Sequence, residues 1–294
     1  MAAVVVALGL SAVRSRDLPP GYVIERQAPH ARTAAVACKH VLELDSFLHN
    51  APTPEHTRAT FGATAAWLAE RHGARRGAGG LLLDSGCGTG RSTLLLAQQH
   101  PDCLVIGVDR SLARLRKDKR DISPGAACAP RGDEGPVQPA FDNALLVRAD
   151  LPAFWRLAVE SGWRLRAHRL LFPNPYPKPA HLPRRWHAHP SWPLVLALGG
   201  ELELRSNWRT YLEETVIATS AIAHLASSDG EAGDLPPPSC DAAALRPDVR
   251  AAARALAAGL RVEQYAASAP FVSEFEAKYE AARLPLFRLA LRLG

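Results

Sequence analysis

Leu81-Leu82-Leu83-Asp84-Ser85-Gly86-Cys87-Gly88-Thr89-Gly90, followed by Val105-Ile106-Gly107-Val108-Asp109, decides the fold of this chain. An apolar run without alternation describes a strand buried on both faces, as in a parallel sheet. The glycines of the turn permit a sharp reversal and let a ligand approach the main chain closely. Helical spacing resumes after Gly90, and the second apolar run ends in an acid. The segment reads as strand, glycine turn, helix and strand, with carboxylates at the strand tips.

The pattern repeats outward from there. Periodicity predicts strands at 80–84, 104–109, 143–148, 167–172, 200–205, 260–267 and 285–292. It predicts helices near 90–100, 111–119, 152–161, 187–198, 208–225, 249–258 and 271–282. Such alternation implies an α/β, Rossmann-like fold: a seven-stranded, mostly parallel sheet with helices on both faces. Residues 1–30 read as an N-terminal extension and 31–72 as helical, from Val36, His40, Leu44 and Phe47 and from Phe61, Ala65 and Leu68. Residues 31–294 then form one domain, with Pro- and Gly-rich flexible insertions at about 121–140 and 227–247.

Composition bounds the partners. Of 294 residues, 47 % are hydrophobic and 22 % charged, which excludes a wholly disordered chain. A net charge of +6 permits a polyanionic partner without requiring one. The five cysteines form no CxxC pair, which argues against a disulfide framework or zinc ribbon and for a reducing compartment. No apolar run reaches the roughly 18 residues of a spanning helix, so no membrane partner is expected. Met1 to Val13 is apolar but lacks a preceding basic stretch, a poor secretory signal. The expected location is cytoplasmic; the acid-free start, with Arg14 and Arg16, keeps organelle targeting as the alternative.

The turn is GxGxG rather than GxGxxG. The dinucleotide form sets a pyrophosphate on the helix N-terminus. The present form, with Asp84 just ahead, suits a cofactor with an amino-acid tail and no phosphate, because the carboxylate can face an ammonium group. Asp109 is placed to accept from both ribose hydroxyls, and Asp150 from an adenine amino group. Together with Gly86, Gly88 and Gly90, these acids describe a site for S-adenosylmethionine. The bland alternative is a tight turn with the aspartates as helix caps.

Leu170-Leu171-Phe172-Pro173-Asn174-Pro175-Tyr176-Pro177-Lys178 follows the fourth predicted strand. Ligands of open parallel sheets bind at the carboxyl ends of strands near the reversal of strand order. Asn174 therefore points at the methyl-transfer position, with Tyr176 beside it, and the prolines stiffen both by fixing φ. His181, Arg184, Arg185, Trp186, His187 and His189 continue as a basic, aromatic segment suited to phosphates and bases. No cysteine or acidic cluster joins these histidines, so no metal is expected. Arg110 to Arg120 reads as a solvated face.

These residues resemble a known family. Phe172 to Arg185, FPNPYPKPAHLPRR, is similar to the hallmark FPDPWxKxxHxKRR of the bacterial tRNA (guanine-N7)-methyltransferases of the TrmB type. Ser206-Asn207-Trp208 through Tyr211 resembles that family's TDxxxY element, and Ser273-Glu274-Phe275-Glu276 its TxFE. Order and spacing agree over roughly residues 60 to 293. The resemblance implies a methyltransferase acting on tRNA or another structured RNA. It assigns cofactor contacts to Asp84, Asp109 and Asp150, the catalytic position to Asn174, and substrate contacts to Lys178, Arg184, Asn207 and Ser273 through Glu276. Arg185 joins Lys178 and Arg184 in holding the RNA backbone.

The departures carry chemistry. Two aspartates of the family pattern are Asn174 and Asn207 here, and its tryptophan is Tyr176. A carboxylate accepts the N1–H and N2–H of guanine as a charge-assisted pair. An amide offers one acceptor and a competing donor, a loss of about 1–3 kcal/mol per contact. Glu276 remains as an acceptor. The N7 lone pair is free at neutral pH, so transfer needs positioning more than a strong base. A second reading follows from the same loop, since amino and amide methyltransferases carry (D/N)PP(Y/F) after this strand. A third is a non-catalytic RNA-binding relative that binds no S-adenosylmethionine.

Overall fold

The computed structural model describes residues 27–73, 79–117, 141–227, 246–247, 249–250 and 260–293. In chain order these form α1 (Thr33–Leu42), α2 (Leu44–Asn50), α3 (Glu55–Gly73), β1 (Leu81–Ser85), α4 (Arg91–Gln99), β2 (Leu104–Asp109), α5 (Leu112–Leu115), β3 (Ala144–Arg148) and α6 (Leu151–Glu160). There follow β4 (Ala167–Leu171), 3₁₀ turns at Pro179–Arg184 and Trp186–Ala188, α7 (Trp192–Ala197), β5 (Gly200–Ser206), α8 (Arg209–Ser227), β6 (Val262–Tyr265), α9 (Glu274–Ala281) and β7 (Leu286–Leu293). All seven expected strands are present, in one sheet ordered β3-β2-β1-β4-β5-β7-β6. β1 through β5 run parallel, and β7 lies antiparallel between β5 and β6.

Burial explains the sequence patterns. β1 and β2 are buried at every residue, because helices cover both faces of the sheet centre. Leu82 and Val105 pack with Ala97 of α4. Their neighbours Leu81, Leu83, Leu104 and Ile106 point the other way, into the main core with Phe154 and Trp155 of α6 and residues of α1, α3, α7 and α8. β7 instead alternates, burying Leu289, Leu291 and Leu293 and exposing Arg288, Ala290 and Arg292.

Three helical expectations change. The helix expected over 187–198 is instead a 3₁₀ turn at Trp186–Ala188 and a short α7, separated around Pro190, which has no amide to donate. The helix expected over 111–119 closes at Leu115. The helical run expected over 31–72 is divided by Glu43 and by Ala51 to Pro54. The insertion at 121–140, most of that at 227–247, residues 1–26 of the extension and nearly all of the helix expected at 249–258 lie outside the described residues.

Gly107 sets the seat of α4. A Cβ there would stand 2.2 Å from Thr93 Oγ1 and 2.8 Å from Leu146 Cδ2. Gly107→Ala is expected to lift α4 off β2 and cost about 1–3 kcal/mol. Urea unfolding checks this, and an unchanged midpoint would contradict it.

Candidate active site

The strand order reverses between β1 and β4, which places the tips of β1, β2 and β3 and the loop after β4 on one edge of the sheet. Asp84 is buried on β1. Its Oδ2 accepts from Ser92 Oγ (2.5 Å) and Thr93 Oγ1 (2.7 Å) at the start of α4. Its Oδ1 is buried and has no hydrogen-bond partner. Burial pushes the Asp84 carboxyl up to about 6, against the Ser92 and Thr93 hydrogen bonds and the charge of Arg169, and the charge of Asp109 adds to the rise.

The glycines divide by role. Gly86 and Gly88 take φ of +79° and +60°, and a Cβ on either would meet nothing closer than Leu151 Cδ1 at 4.0 Å, so both leave open space for a ligand. Gly90 differs. Its Cβ would stand 2.6 Å from Leu146 Cδ1, so the absence of a side chain here lets α4 pack closely on β3.

Asp109 is buried at the tip of β2. Oδ2 accepts from Gly88 N (3.0 Å), and Oδ1 from Ser111 N (2.7 Å) and Arg114 Nη2 (3.0 Å). A carboxylate offers about four lone-pair positions. The grip on two ribose hydroxyls expected from sequence therefore requires the half-exposed Arg114 side chain to move aside. Asp150 is the N-cap of α6, with Oδ1 accepting from Ala153 N (3.1 Å). The capping alternative holds for this residue, and its backbone N–H donates to Thr57 Oγ1 of α3 (3.1 Å).

The loop after β4 presents Asn174 exposed, with its Oδ1 accepting from Tyr176 N (3.3 Å). Phe172 and Tyr176 take φ of +51° and +45°, left-handed values that cost non-glycine residues about 1–2 kcal/mol. Lys178 and Arg184 are exposed, and the Arg184 guanidinium lies 5.9 Å from the Tyr176 ring centre. Asn207 sits half-buried just beyond β5.

Two residues expected to face substrate turn inward. Arg185 is 2 % exposed and pairs with Glu214, so it does not reach an RNA backbone. Glu276 is also 2 % exposed. Its Oε1 accepts from Arg205 Nη1 (2.8 Å) and Tyr265 Oη (2.7 Å), and its Oε2 from Val272 N (2.8 Å). Ser273 is the N-cap of α9, accepting from Glu276 N (3.0 Å). The SEFE element thus clamps α9 to β5 and β6 and offers guanine no open carboxylate.

Sequence reading missed Thr57, Arg114 and Glu214. Glu214 had a signal: it lies at helical spacing with Tyr211, Ala218 and Ile222, a carboxylate on an apolar stripe. A buried chain below the β1 tip was also missed, in which Ser85 Oγ accepts from Trp155 Nε1 (3.0 Å) and bonds His168 Nε2 (2.8 Å). Burial, aided by Arg169, lowers the His168 pKa to about 3, so the ring is neutral.

Parallel strands reversing at β1 and β4, an antiparallel β7 next to β5, and a glycine turn below an acidic rim define a class I S-adenosylmethionine-dependent methyltransferase domain. The chain belongs to the methyltransferase family Methyltransf_4, whose model matches residues 79–245. It is similar to a tRNA (guanine-N(7)-)-methyltransferase of Mycobacterium ulcerans (strain Agy99), at 32 % identity over 165 residues, 53 % of this chain and 52 % of that one. The chain thus matches about half the length of this curated relative. Among solved structures, the antibiotic-resistance methyltransferase Kmr aligns at 22 % identity and TM-score 0.40, over 80 % of this chain and 92 % of that one. The 16S rRNA methyltransferase KamB aligns at 18 % identity and TM-score 0.40, over 77 % and 92 %.

Proposed function

We propose that this protein transfers a methyl group from S-adenosylmethionine to N7 of a guanine in tRNA. The observation that carries the reading is the shared edge: the tips of β1 to β3 and the loop after β4 that bears the exposed Asn174 lie on the same side of the sheet, about the point where strand order reverses. The similarity to a tRNA (guanine-N(7)-)-methyltransferase supports the choice of substrate.

The residues present fit the cofactor. The unpartnered Asp84 Oδ1 suits an ammonium group, the open faces of Gly86 and Gly88 admit a ligand against the main chain, and Asp109 and Asp150 offer acceptors for the nucleoside. Bound there, S-adenosylmethionine would supply an electrophilic methyl carbon. Guanine N7 carries no proton to be removed, so the chain has only to orient the base and exclude water. Asn174 spends its oxygen on Tyr176 N, and its NH₂ is left to donate to a carbonyl such as guanine O6. Tyr176 offers a ring face for stacking. Lys178 and Arg184 hold RNA phosphates, so affinity falls steeply with salt. An affinity for tRNA that ignores salt would remove these contacts. Asn207 lines the substrate side at the end of β5.

The site is expected to be pH-sensitive. A carboxyl raised to about 6 favours its protonated form in the fold, so its share of stability is full below the usual carboxylate value and is lost as pH rises through 6. Binding of an ammonium needs the ionised form. S-adenosylmethionine affinity is therefore expected to fall as pH drops from 7.5 to 5, by about tenfold. Calorimetry across this range checks it. Asp84→Asn should bind weakly with a flat profile, and a sloped profile in that variant would assign the effect elsewhere.

Nucleoside mass spectrometry of tRNA incubated with the protein and S-adenosylmethionine tests the whole reading. N7-methylguanosine is the expected product, and unmodified tRNA would overturn it. The exposed amide of Asn174, where the family pattern has an acid, favours methylation of an amino or amide nitrogen as the second reading. Label from the methyl donor appearing in protein rather than RNA would select it. A titration with S-adenosylmethionine that shows no heat would select the non-catalytic relative.

Among the described residues no helix is long and apolar enough to cross a membrane, and no group of three or more His, Cys, Asp or Glu could hold a metal ion. We place the enzyme in the cytoplasm with its tRNA substrate.

A further inference from the structure

We infer that Glu214, which belongs to none of the sequence motifs, is a positioning residue for the Asn174–Tyr176 loop, acting through Arg185 and joining that loop to the N-terminal segment at His30. The inference rests on the proposed reading for its kinetic consequence but not for its structural one. Glu214 lies on α8 and is 1 % exposed. Its Oε2 pairs with Arg185 Nη1 and with His187 Nε2 (3.1 Å), and its Oε1 accepts from the His30 backbone N–H (2.8 Å). Burial would raise this carboxyl, but the hydrogen bonds from His187, Arg185 and His30 outweigh it and hold it below the usual carboxylate range.

The other end of the Arg185 fork reaches the catalytic loop. Nε and Nη2 donate to the Tyr176 carbonyl (3.2 and 3.1 Å), and Nη2 also donates to the Pro177 carbonyl (3.3 Å). Pro173, Pro175 and Pro177 carry no N–H, so this loop cannot join a ladder through those residues. Its carbonyls need an outside donor, and Arg185 supplies it. The guanidinium is fixed 4.8 Å over the Trp208 ring, beside Asn207. Tyr176 also holds a left-handed φ of +45°, a conformation that persists only where the surroundings over-determine it. Glu214 locks the arginine, the arginine locks the Tyr176 carbonyl, and Tyr176 N holds Asn174 Oδ1. Gln27 O accepts from Thr210 Oγ1 on the same helix, so the chain entering from the N-terminus is tied down at two points beside Glu214.

Three variants, Glu214→Ala, Glu214→Gln and Arg185→Lys, carry the test, with hydrogen exchange of the segment from Asn174 to His189, calorimetry with S-adenosylmethionine, and steady-state methylation of tRNA. Glu214→Ala is expected to speed exchange in this segment by about tenfold or more. Its affinity for S-adenosylmethionine should stay within about twofold, because the acidic rim lies on other strands. The kcat should fall by about 30-fold or more, with a smaller change in KM. Glu214→Gln, which keeps one acceptor, should recover part of both the exchange protection and kcat. Unchanged exchange in Glu214→Ala, or loss of cofactor binding in parallel with kcat, overturns the inference. Should Glu214→Ala fail to fold, Glu214→Gln and Arg185→Lys decide by the same criteria. If the unaltered protein methylates no tRNA, the proposed function falls, while the exchange measurements still judge the positioning role.

Discussion

Arg185→Ala is expected to lower the unfolding free energy by about 3–5 kcal/mol, because it strands a buried carboxylate. Arg185 and Glu214 are 3 % and 1 % exposed at their side chains, so water does not screen the pair. Without the guanidinium, Glu214 keeps only His187 and the His30 amide, and the Tyr176 and Pro177 carbonyls lose their donor. Burial lowers the His187 pKa, outweighing Glu214, so this ring is a poor replacement cation. Arg185→Lys keeps a charge but cannot reach carboxylate and carbonyls at once, and it should fall between the two. Urea unfolding of the three proteins measures this. A loss below about 1 kcal/mol in Arg185→Ala would show that the pair behaves as a solvated one.

The second large effect is on cofactor binding. Asp109→Ala is expected to weaken S-adenosylmethionine binding by about 100-fold, the equivalent of one or two hydrogen bonds to a charged acceptor. The carboxylate does two things at once. It holds Gly88 N of the glycine turn and Ser111 N of the loop after β2, and in the proposed reading it also accepts from the ribose. Asp109→Asn keeps one acceptor oxygen and should lose less. Asp150→Ala should cost less again, since the structure spends one of its oxygens on capping α6. Calorimetry orders the three. Binding by Asp109→Ala within about threefold of the unaltered protein would remove this residue from the cofactor site.

Legibility differed with the range of the interaction. Strands were readable because burial on both faces leaves an unbroken apolar run, as in Leu104 to Val108. The glycine turn was readable because Gly86 and Gly88 need positive φ and open space. The helix expected over 187–198 does not form in one piece, because its apolar spacing gives no weight to Pro190, which removes a backbone donor between the 3₁₀ turn and α7. Arg185 reads as a phosphate contact because it stands in a basic, aromatic segment beside the site. Its real partner stands 29 residues away on another element. Glu276 belongs to the TxFE-like element that the resemblance assigns to the substrate, while its partner Arg205 lies 71 residues away.

The chain's own residues determined the α/β class, the position of each strand and the edge on which the acids and Asn174 gather, because these follow from local sterics and from which side chains water excludes. Tertiary structure alone decided that β7 runs antiparallel between β5 and β6, that Gly90 packs against Leu146 while Gly88 stays open, and that Arg185 and Glu276, expected to face substrate, lie inside. Whether a charge faces water or a buried partner depends on residues far along the chain. Only folding brings Glu214 to Arg185, and in doing so gives the proline-framed loop its hold.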